Sequence, residues 1–448
     1  MQQWAWMLAA VLASGAQAGE AFRAESVNHP QVAAVERYAL QSPAKFNLLY
    51  SGAFASEFPQ GLPFAPGSGL AFKGKDAQGN LLFWATGDRG PNGDAPRVQE
   101  GGKKLESKIF LTPDYQPRFA QIKLVRGKSA SVIQSQPFQF AEGPASGLPL
   151  PAGTVGATGE VALSDTLAVL PAHPRGVDPE GIVPDGKGHL WVVDEYGPFL
   201  LKVEAKTGKV LQQLAPGRGL PEVLQYRQPN RGFEAVARTP NGKIYAMLQS
   251  TLNINGETKH SAGIIRLLEL DPTTGATRML GYPLDSAAYK KNGDAKIGDL
   301  VALDNQRFVL VEQGKGKDKQ MRNVLYVIDI AGAEALPQLE GKEAEYATAE
   351  QLAGLKLIRK QRMFDLREIG WQAEKAEGLT VVDGQLALIN DNDFGLKAEL
   401  ASGKDLDDVL IKDGRLPEGE ALQVKATKED SELWLLKLKQ PLSAYYPQ

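Results

Sequence analysis

Residues 178–198 read DPEGIVPDGKGHLWVVDEYGP, and the fold assignment depends on the pattern in this stretch. An acidic residue, Glu180, comes before a short apolar run, a glycine-rich polar turn and a second apolar run. Two short apolar runs separated by a polar turn are typical of a pair of antiparallel strands. The stretch therefore predicts a β-hairpin whose first strand begins at an acidic residue.

The pattern recurs three times further along the chain. It is present in NRGFEAVARTPNGKIYAMLQS (230–250), KIGDLVALDNQRFVLVEQ (296–313) and KAEGLTVVDGQLALINDNDFG (375–395), with Glu234, Asp299 and Glu377 as the acids. Successive acids are 54, 65 and 78 residues apart. Units of this kind, each folded as a small antiparallel sheet, indicate an all-β protein and specifically a β-propeller. Since the inner strand of every blade lines one central channel, the four acids are predicted to meet there.

Carboxylates that meet in one channel repel one another unless a cation lies between them. Calcium takes roughly six to eight oxygen ligands, so a cluster of carboxylates suits it. A calcium-loaded channel is therefore the first hypothesis. The alternative is structural: each acid accepts hydrogen bonds from backbone N–H groups of the neighbouring blade and binds no metal.

Two further motifs place acids at the end of a predicted strand. DNDFG follows the run LALIN and supplies Asp391 and Asp393, which either bind a metal or form a turn that satisfies its own backbone. DEYGP follows LWVV and supplies Asp194 and Glu195. Because side chains alternate along a strand, we expect Glu195 to face the channel and Asp194 to cap a loop, with an inter-blade tether as the alternative role for the motif. Arg231 is expected at the same mouth, where a guanidinium counters the charge of a phosphate ester.

Composition excludes several classes of protein. The net charge is −3 and no basic stripe is present, so a nucleic-acid partner is not expected. The chain has no cysteine, which excludes disulfides, thiolate metal sites and a cysteine nucleophile. The 47 glycines and 28 prolines favour many turns between short strands over long helices. No G-x-S-x-G elbow or Walker loop is present, so a common serine hydrolase or a P-loop enzyme is not expected.

The first 18 residues, MQQWAWMLAAVLASGAQA, combine an apolar core with an Ala-x-Ala ending. This pattern predicts a signal peptide over 1–18 and a periplasmic or extracellular protein. No other stretch approaches the ~20 apolar residues of a membrane span. We predict that residues 19–448 form one domain and that the protein is a monomer.

Three segments complete the predicted architecture. Residues 95–177 are expected to form an irregular excursion over one end of the fold. Residues 331–362 are rich in Ala, Glu, Leu and Lys and predict a small helical insert. SELWLLKL (431–438) is expected to close the ring by pairing with the N-terminal strand.

The motifs EGIVPDGKGHLWVVDEYGPFLLKV, NRGFEAVARTPNGKIYAMLQSTL, ALDNQRFVLVE, KAEGLTVVDG and LALINDNDFG resemble the phytase-like family, also called esterase-like activity of phytase proteins. The resemblance extends over about residues 46–394. It implies a β-propeller, six-bladed by analogy with calcium-dependent propeller phytases. It also implies hydrolysis of phosphate esters.

The resulting hypothesis is an exported, calcium-dependent phosphoric-ester hydrolase that acts on a small-molecule ester through metal-activated water. Glu234 and Arg231 are its predicted catalytic residues. The predicted ligands of Ca²⁺ are Glu180, Glu195, Glu234, Asp299, Glu377, Asp391 and Asp393. Two alternatives stay open: a propeller lactonase or carboxylic-ester hydrolase, and a non-catalytic envelope binding protein that calcium braces.

Overall fold

Five antiparallel units of four main strands each form a ring in the computed structural model, which describes residues 21–448. The outermost strands of two of these units also pair in parallel, Leu40 with Ala130 and Gln41 with Ser131, and this joins the two units into one continuous sheet. The predicted signal peptide, 1–18, lies outside the described residues. We call the units blades 1 to 5 in the order of their inner strands along the chain. From the channel outward, blade 1 consists of Gly69–Lys75, Leu81–Thr86, Arg118–Val125 and Ser129–Pro137, and blade 2 of Pro179–Pro184, His189–Asp194, Phe199–Glu204 and Val210–Pro216. Blade 3 consists of Phe233–Arg238, Ile244–Leu248, Ile264–Leu270 and Thr277–Pro283, and blade 4 of Lys296–Ala302, Arg307–Lys315, Met321–Asp329 and Arg359–Asp365. Blade 5 consists of Gly378–Val382, Gln385–Ile389, Glu432–Leu438 and Val32–Gln41.

The β-propeller is confirmed, but the described residues form five blades rather than the six expected by analogy. Each inner strand contacts the inner strand on either side, and the inner strand of blade 5 contacts that of blade 1. The remaining strands are not inner strands: Phe22–Ser26 extends blade 5, Gly219–Leu220 extends blade 2, and the others build small sheets beside the ring. Together the remaining strands are Phe22–Ser26, Asn92–Glu100, Lys103–Phe110, Gln139–Phe140, Gly143–Pro144, Val161–Leu163, Gly219–Leu220, Leu396–Leu400, Leu410–Ile411 and Leu422–Ala426.

Close approach of the inner strands explains why glycine follows the acid in several motifs. A Cβ atom on Gly181 would lie 2.8 Å from Val193 Cγ2 and 2.9 Å from Glu234 O. A Cβ atom on Gly378 would lie 2.4 Å from Ile389 Cγ2. Packing thus accounts for the glycine after the acid in blades 2 and 5, whereas Ala235 and Leu300 follow the acid in blades 3 and 4.

The strand Glu432–Leu438 pairs with Gln385–Ile389 on one side and with Val32–Gln41 on the other. This confirms the ring closure predicted for SELWLLKL. The N-terminal strand is the outermost main strand of a blade whose other strands come from the C-terminal part of the chain. Closure of the ring therefore depends on contacts between segments that are distant in sequence.

The segment 95–177 is only partly the irregular excursion that was expected. Arg118–Val125 and Ser129–Pro137 are the two outer strands of blade 1, and most of the rest lies beside the ring. Within 331–362 the one α-helix is Ala349–Ala353, so the helical insert is much shorter than predicted. The reason is that backbone N–H groups of this segment bond to the outer strand of blade 3, as in Leu336 N to Met279 O at 2.9 Å.

Short 3₁₀ turns account for the other helical residues. Their bounds are Ala44–Phe46, Ala55–Glu57, Glu222–Tyr226, Ile254–Gly256, Asn292–Asp294, Ala344–Tyr346, Leu366–Ile369, Asp393–Gly395, Leu406–Asp408 and Leu442–Tyr445. Among residues 21–448 no helix has the length and apolar character needed to cross a membrane.

The closing strand supplies the first test. Leu436 is fully buried in the core that blade 5 shares with blade 4, whereas Lys437 beside it is exposed. We expect Leu436→Ala to lower the free energy of unfolding by roughly 2–5 kcal/mol, because it leaves a cavity in a packed core. Chemical denaturation followed by tryptophan fluorescence measures the effect. Lys437→Ala is the control and should change stability by less than about 0.5 kcal/mol. Equal effects of the two variants would contradict this role of the closing strand.

Candidate metal centre

Three of the predicted acids meet at one end of the channel. Carboxylate oxygens of Glu180, Glu234 and Glu377 lie within 4.8 Å of one another. Only 6%, 1% and 3% of these residues are exposed, respectively. At an effective dielectric constant near 20, two ionised carboxylates about 5 Å apart repel by roughly 3 kcal/mol. The fold therefore holds three carboxylates close together although they repel one another when ionised.

Local strand irregularities help to aim these side chains. The pairing of the first two strands shifts register between Pro179 and Gly181 in blade 2, and between Phe233 and Ala235 in blade 3. Each shift is a bulge that contains the glutamate. A bulge leaves one residue outside the regular ladder and re-aims its side chain, and bulges are common next to functional sites.

Two glutamines that sequence reasoning missed hold the carboxylates in place. Gln249 Nε2 donates to Glu195 Oε1 at 2.6 Å and to Glu234 Oε2 at 2.8 Å. Gln313 Nε2 donates to Glu377 Oε1 at 3.0 Å. Gln249 directly follows the second apolar run of its motif, and Gln313 stands one residue further on, as Glu195 does in blade 2. That shared position was the signal in the sequence that could have identified them.

The two acids of the DEYGP motif have different roles, as predicted. Asp194 accepts the backbone N–H of Asp178 at 2.6 Å and that of Gly197 at 2.8 Å, so it caps the loop. Glu195 instead faces the channel, where it lies within 4.8 Å of carboxylate oxygens of Asp178 and Glu180. Asp178, which sequence reasoning did not select, therefore belongs to the acidic surroundings of the site.

Asp299 lies apart from the other acids. Its carboxylate accepts the backbone N–H of Leu300 at 2.7 Å and that of Leu379, in blade 5, at 2.6 Å. A Cβ atom on the preceding Gly298 would lie 2.2 Å from Ala376 O, so no larger side chain enters the channel there. These contacts match the alternative role, in which the acid accepts backbone N–H groups of the neighbouring blade and binds no metal. The assignment of Asp299 as a metal ligand stays a prediction without support from the contacts of the described residues.

Asp391 and Asp393 meet a cation that sequence reasoning missed. Lys375 Nζ lies 2.8 Å from Asp393 Oδ1 and 3.3 Å from Asp391 Oδ2. Carboxylate oxygens of these two residues and of Asp88 lie within 4.8 Å of one another. A second acidic group, Asp88, Asp391 and Asp393, thus adjoins the first and has an ammonium group in contact with it.

The arginines near the mouth differ in their freedom to bind a substrate. Arg231 Nη1 donates to Gly293 O at 2.6 Å, which holds the guanidinium on the rim. Arg89 is buried against Glu160, with its Nη1 donating to Glu160 Oε1 at 2.9 Å, and its Nε lies 3.6 Å from Asp178 Oδ2. Since Arg89 is used in these ion pairs, Arg231 is the better placed of the two for contact with a bound anion.

Burial and mutual repulsion dominate the electrostatics of the channel. Burial, followed by nearby carboxylates, raises the pKa of both Glu180 and Glu234 well above the ordinary value. Burial raises the pKa of Glu195 to about 8 and that of Asp391 to about 7. Burial also acts to raise the pKa of Asp393, but the neighbouring Lys375 outweighs it and the pKa is lowered.

The donor set of the channel fits a hard cation. Glu180 and Glu234 form no ion pair with any described residue, and all their ligating atoms are oxygens. The buried amide oxygen of Gln249, Oε1, has no hydrogen-bond partner among residues 21–448. Calcium prefers carboxylate and amide oxygens, whereas zinc prefers sulfur and nitrogen ligands that this group lacks. The residues therefore fit Ca²⁺.

Comparison with known proteins identifies the family. Residues 67–394 match the sequence model of the phytase-like family, described as "Esterase-like activity of phytase". The chain belongs to the phytase-like family. Membership of this family, together with the propeller fold, supports a hydrolase or esterase-like propeller protein.

Other likenesses are more limited. An "Uncharacterized secreted protein" of Arthroderma benhamiae is 30% identical over 123 residues, which cover 21% of this chain and 24% of that protein. The match thus spans about a quarter of the relative's length. The WD40 domain of Toxoplasma gondii coronin is 9% identical, covers 96% of this chain and 90% of its own, and gives a TM-score of 0.33. The α-L-arabinofuranosidase of Podospora anserina is 7% identical, covers 90% of this chain and 97% of its own, and gives a TM-score of 0.34. At this level of similarity, the activities of these two proteins give no information about the activity of this chain.

Asp299 can be tested separately from the other acids. We expect Asp299→Ala to lower the free energy of unfolding by roughly 1–3 kcal/mol, because it leaves buried backbone N–H groups without an acceptor. Calcium affinity, measured by isothermal titration calorimetry, should not change. Asp114→Ala is the control, since Asp114 is exposed. A loss of calcium affinity in Asp299→Ala without a loss of stability would instead support Asp299 as a ligand.

The raised pKa values predict how stability depends on pH in chelator-treated protein. A carboxyl whose pKa is raised in the folded state binds more protons there than in the unfolded chain. Stability therefore falls as pH rises from its ordinary pKa, near 4, to its folded-state pKa, about 8 for Glu195. We expect the free energy of unfolding to fall by roughly 2 kcal/mol or more between pH 5 and about pH 8. Calcium should reduce this fall. A free energy of unfolding that stays constant or rises with pH in the chelator-treated protein would contradict repulsion between the carboxylates.

Proposed function

We propose that this protein is an exported, calcium-dependent hydrolase of phosphoric esters, and that Glu180, Glu234 and Glu377 hold the metal. The observation that supports the proposal is the group of three buried carboxylates with oxygens within 4.8 Å of one another. The described residues supply Lys375 as an ion-pair partner for Glu377, at 3.6 Å, and none for the other two glutamates. A divalent cation supplies the charge that this arrangement lacks.

Bound calcium would supply a Lewis acid that counters phosphate charge and lowers the pKa of a coordinated water. The chain's own residues then have separate tasks. Gln249 fixes Glu234 and Glu195 through its two hydrogen bonds. In this proposal Glu234 accepts a proton from the water that attacks phosphorus, and Arg231, held on the rim by Gly293, contacts the phosphate oxygens. The bond from phosphorus to the ester oxygen breaks, and the leaving alkoxide takes up a proton from solvent to become the alcohol. No covalent nucleophile is required.

The cellular setting is part of the same proposal. We infer that residues 1–18 are removed on export and that residues 19–448 act as one monomeric domain in the periplasm or outside the cell. The secreted relative supports export, although it matches only part of this chain. The substrate is a small phosphorylated ester.

A second candidate function has an observation in its favour. The carboxylates of the metal group are almost fully buried, with 1% of Glu234 exposed. Calcium at such a position would brace the inner strands without contacting a substrate. The chain would then be a non-catalytic, calcium-braced binding protein.

One experiment separates these functions. Purified residues 19–448 are incubated with a panel of phosphomonoesters, with carboxylic esters and lactones as a second panel, in calcium and in chelator. We expect calcium-dependent phosphate release that Glu234→Gln lowers by at least about 100-fold, the usual size for a group that moves a proton in the transition state. Asp114→Asn serves as the matched surface control and should retain activity.

The other outcomes are equally definite. Hydrolysis of the carboxylic esters or lactones alone would contradict the phosphoric-ester proposal and select a lactonase or carboxylic-ester hydrolase. Absence of hydrolysis on both panels, together with a calcium-dependent rise in melting temperature, would select the bracing role. Phosphate release that persists in chelator would contradict the metal requirement.

A further inference from the structure

Lys375 lies between the two acidic groups of the channel mouth. Its ammonium nitrogen is 2.8 Å from Asp393 Oδ1, 3.3 Å from Asp391 Oδ2 and 3.6 Å from Glu377 Oε2. The lysine side chain is 28% exposed and that of Asp391 only 3%. The side chain of Asp393 is 53% exposed, so the ammonium group lies between buried and solvent-exposed carboxylates, in a cation site that the chain itself fills.

We propose that Lys375 is a built-in cation that takes the place of a second calcium ion at the mouth. The inference rests on the proposed calcium site formed by Glu180, Glu234 and Glu377. It assigns different roles to the two acidic groups: the first binds the metal, and the second is neutralised by the lysine.

Oxygen geometry alone does not distinguish the two groups. Asp88, Asp391 and Asp393 bring carboxylate oxygens within 4.8 Å of one another, as the three glutamates do. The difference is the ammonium group. Calcium needs its oxygens at about 2.3–2.6 Å and would have to share the space between Asp391 and Asp393 with the positive charge of Lys375. Both cations cannot occupy that space.

Among the three blades that supply a channel glutamate, only blade 5 places a lysine, Lys375, at this point of the motif. It stands two residues before the channel glutamate, Glu377. The corresponding residue is Asp178 in blade 2 and Gly232 in blade 3, both two residues before their glutamates. A blade can therefore supply a channel glutamate without a lysine here, whereas blade 4 has Lys296 two residues before Gly298 and supplies no glutamate.

Calcium stoichiometry tests the inference independently of catalysis. Chelator-treated residues 19–448 are titrated with calcium chloride by isothermal titration calorimetry, with equilibrium dialysis against ⁴⁵Ca as a second readout. We expect Lys375→Met to bind one more calcium ion per molecule than the unchanged protein, because it frees Asp391 and Asp393. Methionine retains most of the side-chain length and removes the charge.

Lys296→Met is the matched control. Lys296 lies at the start of the inner strand of blade 4 and also acts electrostatically on Glu195 and Glu234. No carboxylate of residues 21–448 lies within 4.0 Å of its ammonium nitrogen. This variant should bind the same number of ions as the unchanged protein. A gained ion in both variants would show that channel charge alone sets the stoichiometry and would overturn the role of Lys375.

A second variant keeps the test decisive if Lys375→Met does not fold. Asp393→Asn in the otherwise unchanged protein should bind the same number of calcium ions, since Lys375 and not a metal is its partner. A lost ion in Asp393→Asn would overturn the inference, as would an unchanged count in folded Lys375→Met. If neither the unchanged protein nor Lys375→Met binds calcium, the proposed metal function itself fails. The two failures are therefore distinguishable.

Discussion

Mutual repulsion between Glu180, Glu234 and Glu377 is the interaction around which the rest of the structure is organised. At Gly181 and Gly378 the inner strands pack so closely against their neighbours that a Cβ atom would clash. That same approach brings three buried carboxylates within 4.8 Å of one another. Packing of the blades must therefore outweigh a charge repulsion at the centre, or a cation must relieve it. This conflict between local electrostatics and global packing is typical of functional sites.

The site exists because the five blades are not equivalent at the channel. Blades 2, 3 and 5 contribute a glutamate, whereas Ser68 precedes the inner strand of blade 1 and Gly298 occupies the comparable place in blade 4. Blade 4 instead uses Asp299 to tie its inner strand to the backbone of blade 5. A repeated architecture thereby presents an asymmetric set of donors, with acids on one part of the rim and Arg231 on another. Asymmetry of this kind allows a bound ester to adopt one orientation.

The sequence was sufficient for the features that depend on short-range pattern. Alternation of apolar runs and turns predicted the propeller, and SELWLLKL was correctly predicted to pair with the N-terminal strand. Position along a strand also predicted the different roles of Asp194 and Glu195. The helix over 331–362 failed because tertiary hydrogen bonds, such as Leu336 N to Met279 O, override helix propensity.

Other features required the three-dimensional arrangement. The sequence pattern aligned Asp299 with the glutamates, but the strand is irregular between Ile297 and Leu300, and the Asp299 carboxylate accepts backbone N–H groups instead of joining the other acids. Lys375 was present in the quoted motif, but its contact with Asp391 and Asp393 depends on how the loop that follows Ile389 folds back. Blade number depended on which strands reach the channel, and periodicity does not report that.

The most direct measurement is the anomalous difference density of crystals of residues 19–448 grown in calcium, repeated with strontium in its place. Density from these ions reports position without any assumption about activity. Our account predicts a peak among the carboxylates of Glu180, Glu234 and Glu377 and no peak between Asp391 and Asp393. A structure with those three glutamates in place and no ion among them, at a calcium concentration that raises the melting temperature, would contradict it.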